Sequence, residues 1–114
     1  MQLAVSIYRL TRDFPREEIY GLTSQARRSV VSISNNIAEG QGRLTRGEFR
    51  QILGIARGSN FELQTQLEIA RSLKLGDPRL LDEADGLSRE VGKMLFGMLE
   101  SLKAIERPSL AAGN

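Results

Sequence analysis

The sequence contains no histidine, no cysteine and no tryptophan, and only 3 prolines. Without His or Cys the chain cannot form a Ser-His or Cys-His nucleophile pair, a thiolate or imidazole zinc site, or a disulfide. Catalysis would depend on carboxylates, Lys and hydroxyls alone, and no convergent set of acid, base and nucleophile stands out. We therefore expect no enzyme activity, no cofactor and no bound metal.

Long apolar runs are absent as well. No stretch approaches the roughly 20 apolar residues that span a bilayer, and Met1–Ser6 lacks the basic and apolar regions of a secretory signal. With 114 residues, 40% hydrophobic and 26% charged, the chain is long enough for one domain with a modest core. These features predict a single cytoplasmic domain over residues 1–107 that does not contact membranes.

The formal net charge is +2, but the charged residues are unevenly distributed along the chain. Residues 1–58 carry nine arginines against five acidic residues, whereas residues 59–114 carry seven basic and nine acidic residues. Only Lys74, Lys93 and Lys103 among the 16 basic residues are lysines. A planar guanidinium suits phosphate and carboxylate groups, so this bias is compatible with a nucleic-acid partner. A GC-rich genome would produce the same bias.

Glycine and proline divide the chain into four segments with helical apolar spacing. Pro15 ends the first segment, and one short turn is expected before the second. Gly40 and Gly42 suit left-handed caps after the second segment. A capping box, Thr45 to Glu48, then opens the third segment. Its end at Gly76 is followed by an Asp-Pro helix start. The predicted helices are 2–13, 22–39, 46–75 and 78–107.

Short connections place consecutive helices side by side, and no segment alternates like a strand. The predicted fold is therefore all-α, an antiparallel up-down four-helix bundle, followed by a disordered tail over residues 108–114. Asn60 lies among the core-facing residues of the third predicted helix and is interpreted as a buried polar residue that fixes helix register. The core-facing stripe of the third predicted helix is Phe49, Leu53, Ala56, Asn60, Leu63, Leu67 and Ala70. The core-facing stripe of the fourth predicted helix is Leu80, Ala84, Leu87, Val91, Met94, Met98, Leu102 and Ile105.

Arginines form one stripe beside the core face of the third helix. Antiparallel pairing around the loop predicts Arg28 level with Arg57, with Arg43 at the loop end. Such a row could follow a phosphate backbone. The alternative is a solvated flank with local ion pairs, such as Glu68 with Arg71. The stripe is Arg46, Arg50, Arg57 and Arg71.

Several apolar residues are predicted to point away from the core. Ile55, Ile69 and Leu73 lie on the third helix, Phe96 on the fourth and Val31 on the second. Exposed apolar residues on neighbouring helices suggest a surface for self-association. The alternative is a broad core that absorbs Ile55 and Leu73.

The second segment and its loop carry a family pattern at residues 20–33, 36–40 and 42–43, and the match covers most of residues 8–75. It resembles the four-helix-bundle family first noticed as reading frames within intervening sequences of bacterial 23S ribosomal RNA genes. Two departures stand out. Ser34 occupies a position where the family usually has Pro, and family members carry a Trp-Gln-Lys stretch before the position of Met1. We expect loss of that stretch to shorten the first helix and uncover a groove.

That family is similar to the accessory protein of diversity-generating retroelements, a basic, ring-like pentamer that cooperates with a reverse transcriptase and nucleic acid. The resemblance implies a non-catalytic homo-oligomer, pentameric, with RNA or DNA and a reverse transcriptase as partners. Arg27 and Arg28 match its paired basic positions, and Arg43 matches its loop arginine. The predicted nucleic-acid contacts are Arg27, Arg28, Arg43, Arg46, Arg50 and Arg57. The alternative is a protein-interaction scaffold whose arginines and outward apolar residues serve subunit or partner contacts.

Overall fold

The computed structural model describes residues 2–42 and 45–106. It contains four α-helices and one 3₁₀ turn: α1 Gln2–Thr11, the turn Arg16–Glu18, α2 Leu22–Gly40, α3 Arg46–Ser72 and α4 Pro78–Glu106. The described residues include no strand, so the predicted all-α class is confirmed. The predicted tail, residues 108–114, lies outside the described ranges, as does the side chain of Ile105.

The helices form an antiparallel up-down bundle. Each helix packs beside the next one in the chain, and α1 closes the ring by packing against α4. The bundle is elongated, with extents of 61 × 23 × 19 Å. Across the described part of the chain, no helix combines the length and the apolar character needed to traverse a bilayer.

Side chains cap the starts of three helices. The Thr45 hydroxyl accepts a hydrogen bond from the Glu48 amide at 3.1 Å, as the capping box predicts, and it donates to Glu48 Oε1 at 3.1 Å. Asp77 Oδ1 accepts from the Arg79 amide at 2.9 Å at the start of α4. Before α2, Glu18 Oε1 in the 3₁₀ turn accepts from the Leu22 amide at 3.1 Å. These bonds satisfy amides that have no partner within the helix.

The third helix ends three residues earlier than predicted because Lys74 adopts a left-handed conformation, with φ 57°. The Leu75 amide donates to the Ala70 carbonyl at 2.9 Å, and the Lys74 amide donates to the Arg71 carbonyl at 3.1 Å. This pair of bonds is a Schellman motif. α1 ends at Thr11 and not at residue 13, and the chain turns there, with the Phe14 amide donating to the Thr11 carbonyl at 3.1 Å.

Gly40 and Gly42 are not left-handed caps, so that prediction was wrong. Among the described residues, positive φ occurs only at Lys74 and Gly76. Gly40 belongs to the last turn of α2, where a Cβ atom would lie 2.7 Å from Cε1 of Phe49. The end of α2 packs closely against the start of α3, and this close approach leaves no room for a side chain at position 40.

The core consists of two apolar clusters. The larger one draws on all four helices, and the smaller one surrounds Leu53 and Leu95. The predicted α3 stripe is confirmed, with Phe49 partly buried at its edge.

The predicted α4 stripe needs a correction. Leu81 and Leu95 are fully buried, whereas Met94 is 45% exposed. Met94 borders a groove between α2 and α4, next to Leu3 at the start of α1. Because α1 is only 10 residues long, it does not cover this part of α4, and the buried side of α4 turns toward α3.

Asn60 is a buried polar residue, as predicted, with 1% of its surface exposed. Its Nδ2 donates to the Ser88 carbonyl at 3.0 Å, and its Oδ1 accepts from the Ser88 hydroxyl at 2.8 Å. A Cβ atom on Gly92 would lie 3.2 Å from Asn60 Nδ2. The paired bonds fix the register of α3 against α4, since a shift along either helix would break both of them.

Candidate nucleic-acid interface

Arg27 links α2 to α1 at the centre of an open, basic surface. Its Nε donates to Thr11 Oγ1 at 2.9 Å, and its guanidinium carbon lies 4.6 Å from the centroid of the Tyr8 ring. Thr11 in turn donates to the Ile7 carbonyl at 2.7 Å. The guanidinium is therefore held against an aromatic face, in a cation–π arrangement.

Two hollows of about 730 and 540 Å³ meet at Tyr8 and Arg27. The first runs along α2 past Tyr20, a side chain that is 96% exposed. The second runs along α1. Among the described residues that line the two hollows, none is acidic. We call this the Tyr8–Arg27 surface, defined by Tyr8, Arg9, Arg12, Tyr20, Arg27 and Arg28.

Sequence reasoning found Arg27 and Arg28 but missed the other four residues of this surface. Arg9 directly follows Tyr8 on the ten-residue helix α1, which is too short for a stripe to stand out, and Arg12 lies just after Thr11, the last residue of that helix. Tyr20 lies just outside α2. A signal was present in the sequence, since the chain has 2 tyrosines and one of them, Tyr8, directly precedes Arg9. Arg9 also contacts Glu83 of α4, at 4.0 Å.

The arginine stripe of α3 lies on the flank that faces α4. Arg71 pairs with Asp82 of α4 at 2.8 Å, so the predicted partner Glu68 was wrong. The Arg57 guanidinium lies 5.3 Å from the centroid of Phe61, whose ring lines a hollow between α3 and α4. Arg46 and Arg50 follow the same helical spacing.

The opposite flank of α3 faces α2 through a polar seam. Ser32 and Ser59 hydroxyls lie 2.9 Å apart, which sets the register of the two helices. Arg28, one turn before Ser32, lines a hollow with Ser59 and Glu62. The prediction that Arg28 lies level with Arg57 was therefore wrong, by more than one helical turn.

The six predicted arginines thus do not form one surface. Arg27 and Arg28 belong to the α1–α2 side, whereas the α3 stripe lies on the α3–α4 side. Within the described residues, α1 contacts only the helices α2 and α4, and α3 contacts the same two helices, so these two sides are opposite faces of the bundle. Arg43, the predicted loop contact, lies outside the described residues.

The five outward apolar residues are exposed, as predicted. They too are divided among different faces. Val31 lines the hollow of the Tyr8–Arg27 surface. Ile55, Ile69 and Leu73 share the outer side of α3 by their spacing. Phe96 lies on α4, at seven-residue spacing from Arg89 in the α3–α4 hollow.

Comparisons with known proteins agree with this fold. A family model described as 23S rRNA-intervening sequence protein matches residues 1–97. Among solved structures, the chain is similar to a protein of unknown function from the S23 ribosomal protein family of Bacteroides thetaiotaomicron VPI-5482, with a TM-score of 0.75 and 24% identity. The similarity covers 86% of this chain and 92% of that one. No curated protein matches the sequence.

Proposed function

The chain belongs to the family of 23S rRNA-intervening sequence proteins, and from this membership and the geometry above we propose that it is a non-catalytic, homo-oligomeric bundle that binds single-stranded RNA or DNA without base preference. The observation that carries the proposal is the Tyr8–Arg27 surface, where four arginines and two tyrosines adjoin and no described lining residue is acidic.

Each residue type on this surface has a role in binding a single strand. Arginines neutralise phosphates and release counterions, which gives affinity that is independent of sequence and sensitive to salt. Aromatic faces stack on bases, and stacking tolerates any base because every base has a π-face. The exposed Tyr20 ring is available for stacking, while Tyr8 is held in place by Arg27.

Tyrosine fluorescence reports on this surface alone, because the chain has no tryptophan and both of its tyrosines lie there. We expect an oligonucleotide to quench this fluorescence, with an affinity that falls as salt rises. Arg12 and Arg28 are both exposed. Replacing both by alanine should make the negative slope of log K against log salt shallower by about 1.4, at roughly 0.7 per phosphate contact. Tyr20→Ala should weaken binding by about 1–3 kcal/mol, whereas Tyr20→Phe keeps the stacking face and serves as its control.

The proposal fails if no oligonucleotide binds at low ionic strength. A protein that assembles normally but does not bind nucleic acid would favour the second candidate, a protein-interaction scaffold. The exposed apolar residues support that candidate. Arginine and tyrosine are also the residue types that dominate protein interfaces.

Self-association forms part of the proposal, through the outer side of α3. Ile55, Ile69 and Leu73 are exposed there, and burial against a second copy would remove their apolar surface from water. Light scattering should give a multiple of the 12.7 kDa chain mass, and five copies is the number that the retroelement resemblance predicts. Ile69→Asp should shift the mass toward one chain, whereas Ser72→Asp, at an exposed polar position, should not. A wild-type mass of one chain would refute the proposed assembly. The reverse transcriptase partner stays a prediction.

A further inference from the structure

We infer that the α3–α4 side carries a second strand-binding surface, and that one subunit bridges two single strands held on opposite faces of the bundle. This inference rests on the proposed function of the Tyr8–Arg27 surface. It adds a second contact region and an activity, strand bridging, which that surface alone does not provide.

Arginines and an aromatic ring on α3 form the first part of the second surface. The Arg57 guanidinium stacks 5.3 Å from the centroid of Phe61, which is 54% exposed. This repeats the Tyr8 and Arg27 arrangement on the other side of the molecule. Arg46 and Arg50 extend the stripe toward the start of the helix, on the same flank.

The fourth helix supplies a second aromatic ring and another cation. Arg89 lines the α3–α4 hollow, and Phe96 and Lys103 follow it at seven-residue intervals, so all three lie on one side of α4. Phe96 is 53% exposed. Given the contact of Asn60 with Ser88, Phe96 falls between the levels of Arg50 and Arg57, where its ring is available to a strand that follows the arginines.

Charge on this side separates along the helix axis. The acidic residues Glu68, Asp82 and Asp85 lie toward the Arg71 end, where Asp82 and Asp85 pair with arginines at 2.8 and 3.1 Å. Toward the Arg46 end, Glu100 pairs with Lys103 at 3.5 Å, and Arg46, Arg50 and Arg57 follow one another along α3. The Arg46 half is therefore cationic and carries exposed aromatic rings. This composition favours a single strand over an acidic protein surface, which would leave the rings without a stacking partner.

A short strand that lies straight along one surface does not contact the other surface. The bundle measures 23 × 19 Å across, and the surfaces lie on its opposite faces. A short strand on one face leaves the other face open, so each subunit is bivalent. Two sites in one rigid body hold two strands near each other at a raised effective concentration.

Strand bridging can be measured with two non-complementary oligo-dT strands of about 8 nucleotides, within the roughly 4–16 of a single-strand site. One strand carries a donor dye and the other an acceptor. The measurement is made in the Ile69→Asp background, which is expected to separate the copies, so that strands held on different subunits do not contribute. We expect energy transfer when this full-length protein is added. Arg12→Ala/Arg28→Ala and Arg46→Ala/Arg57→Ala should each still bind one strand, as seen by anisotropy, and each should lose the energy transfer.

A double variant Lys74→Ala/Arg79→Ala is the matched control, since it removes two positive charges at the α3–α4 loop and neither residue lines a hollow of either surface; it should keep the transfer. Energy transfer that survives in either surface variant of the Ile69→Asp protein would overturn the inference, because a single surface would then be sufficient for bridging. Strand binding by the wild type without energy transfer would also overturn it, while leaving the proposed function intact. Loss of all strand binding by the wild type would instead overturn the proposed function and the inference together. Circular dichroism checks that every variant is folded.

Discussion

Asn60→Asp is expected to lower the free energy of unfolding by about 3–5 kcal/mol at neutral pH, the range seen when a buried charge loses its compensation. Asn60 is 1% exposed, and its Nδ2 donates to the Ser88 carbonyl at 3.0 Å. A carboxylate there would place an oxygen against that carbonyl and keep only the bond from the Ser88 hydroxyl. The substitution hardly changes side-chain volume, so the loss would measure the polar contact and not packing.

The effect of Asn60→Asp should depend on pH in a defined direction. Burial raises the pKa of the introduced carboxyl in the folded state above its value of about 3.9 in the unfolded chain. The folded state then binds the proton more tightly, so the deficit is greatest above the raised pKa and shrinks as pH falls toward the unfolded value. The protonated group can also donate to the Ser88 carbonyl, as the amide does.

Urea unfolding at pH 7 and at about pH 4.5 measures this deficit. The control is Asn35→Asp, the same change at an exposed position on α2, and it should stay within about 0.5 kcal/mol of the wild type. Equal losses for the two variants would show that Asn60 does not fix the register of α3 and α4.

Gly76→Ala is expected to lower the free energy of unfolding by about 2–5 kcal/mol. Two effects add. The residue has φ 73°, a conformation that costs an L-residue about 1–2 kcal/mol. The new Cβ would also lie 2.9 Å from Phe14 Cε1 and 3.0 Å from Leu10 Cδ1, and overpacking of a core commonly costs about 1–3 kcal/mol. Both contact residues are buried, so neither can move away freely.

Gly54→Ala is the matched control for Gly76→Ala. Gly54 lies within α3, and a Cβ there would meet nothing within 4 Å. Because glycine in a helix interior is less favourable than alanine by roughly 0.5–1 kcal/mol, this variant should gain stability. Thermal and urea unfolding should therefore move in opposite directions for the two glycines, and a neutral Gly76→Ala would contradict the close packing of the α3–α4 loop on α1.

The helices could be predicted from the sequence because their limits depend on local chemistry. The Thr45 cap and the Asp77 cap are set by residues within one turn of each other. The end of α3 was harder to predict, since a lysine at position 74 takes the left-handed conformation that usually falls to glycine. Gly40 was misread for a related reason: its close neighbour, Phe49, belongs to another helix.

The candidate site was only partly predictable. Spacing alone gives a stripe at Arg46, Arg50 and Arg57 on one flank of α3, but both flanks of a bundle helix border the core. Which flank meets α2 and which meets α4 depends on whether the bundle turns left or right, and helical spacing carries no information on that choice. Contacts such as Ser32 with Ser59 decide it. Arg9 and Arg12 were missed for a different reason, since α1 is too short for helical spacing to reveal a stripe.

The division of the arginines between opposite faces has an electrostatic consequence. At physiological ionic strength the Debye length is about 8 Å, well below the 23 × 19 Å cross-section of the bundle. Repulsion between the two cationic faces is therefore largely screened, and each face keeps its own local potential. A chain with a formal net charge of only +2 can in this way present two separate attractive fields to polyanions, neither of which weakens when the other is neutralised.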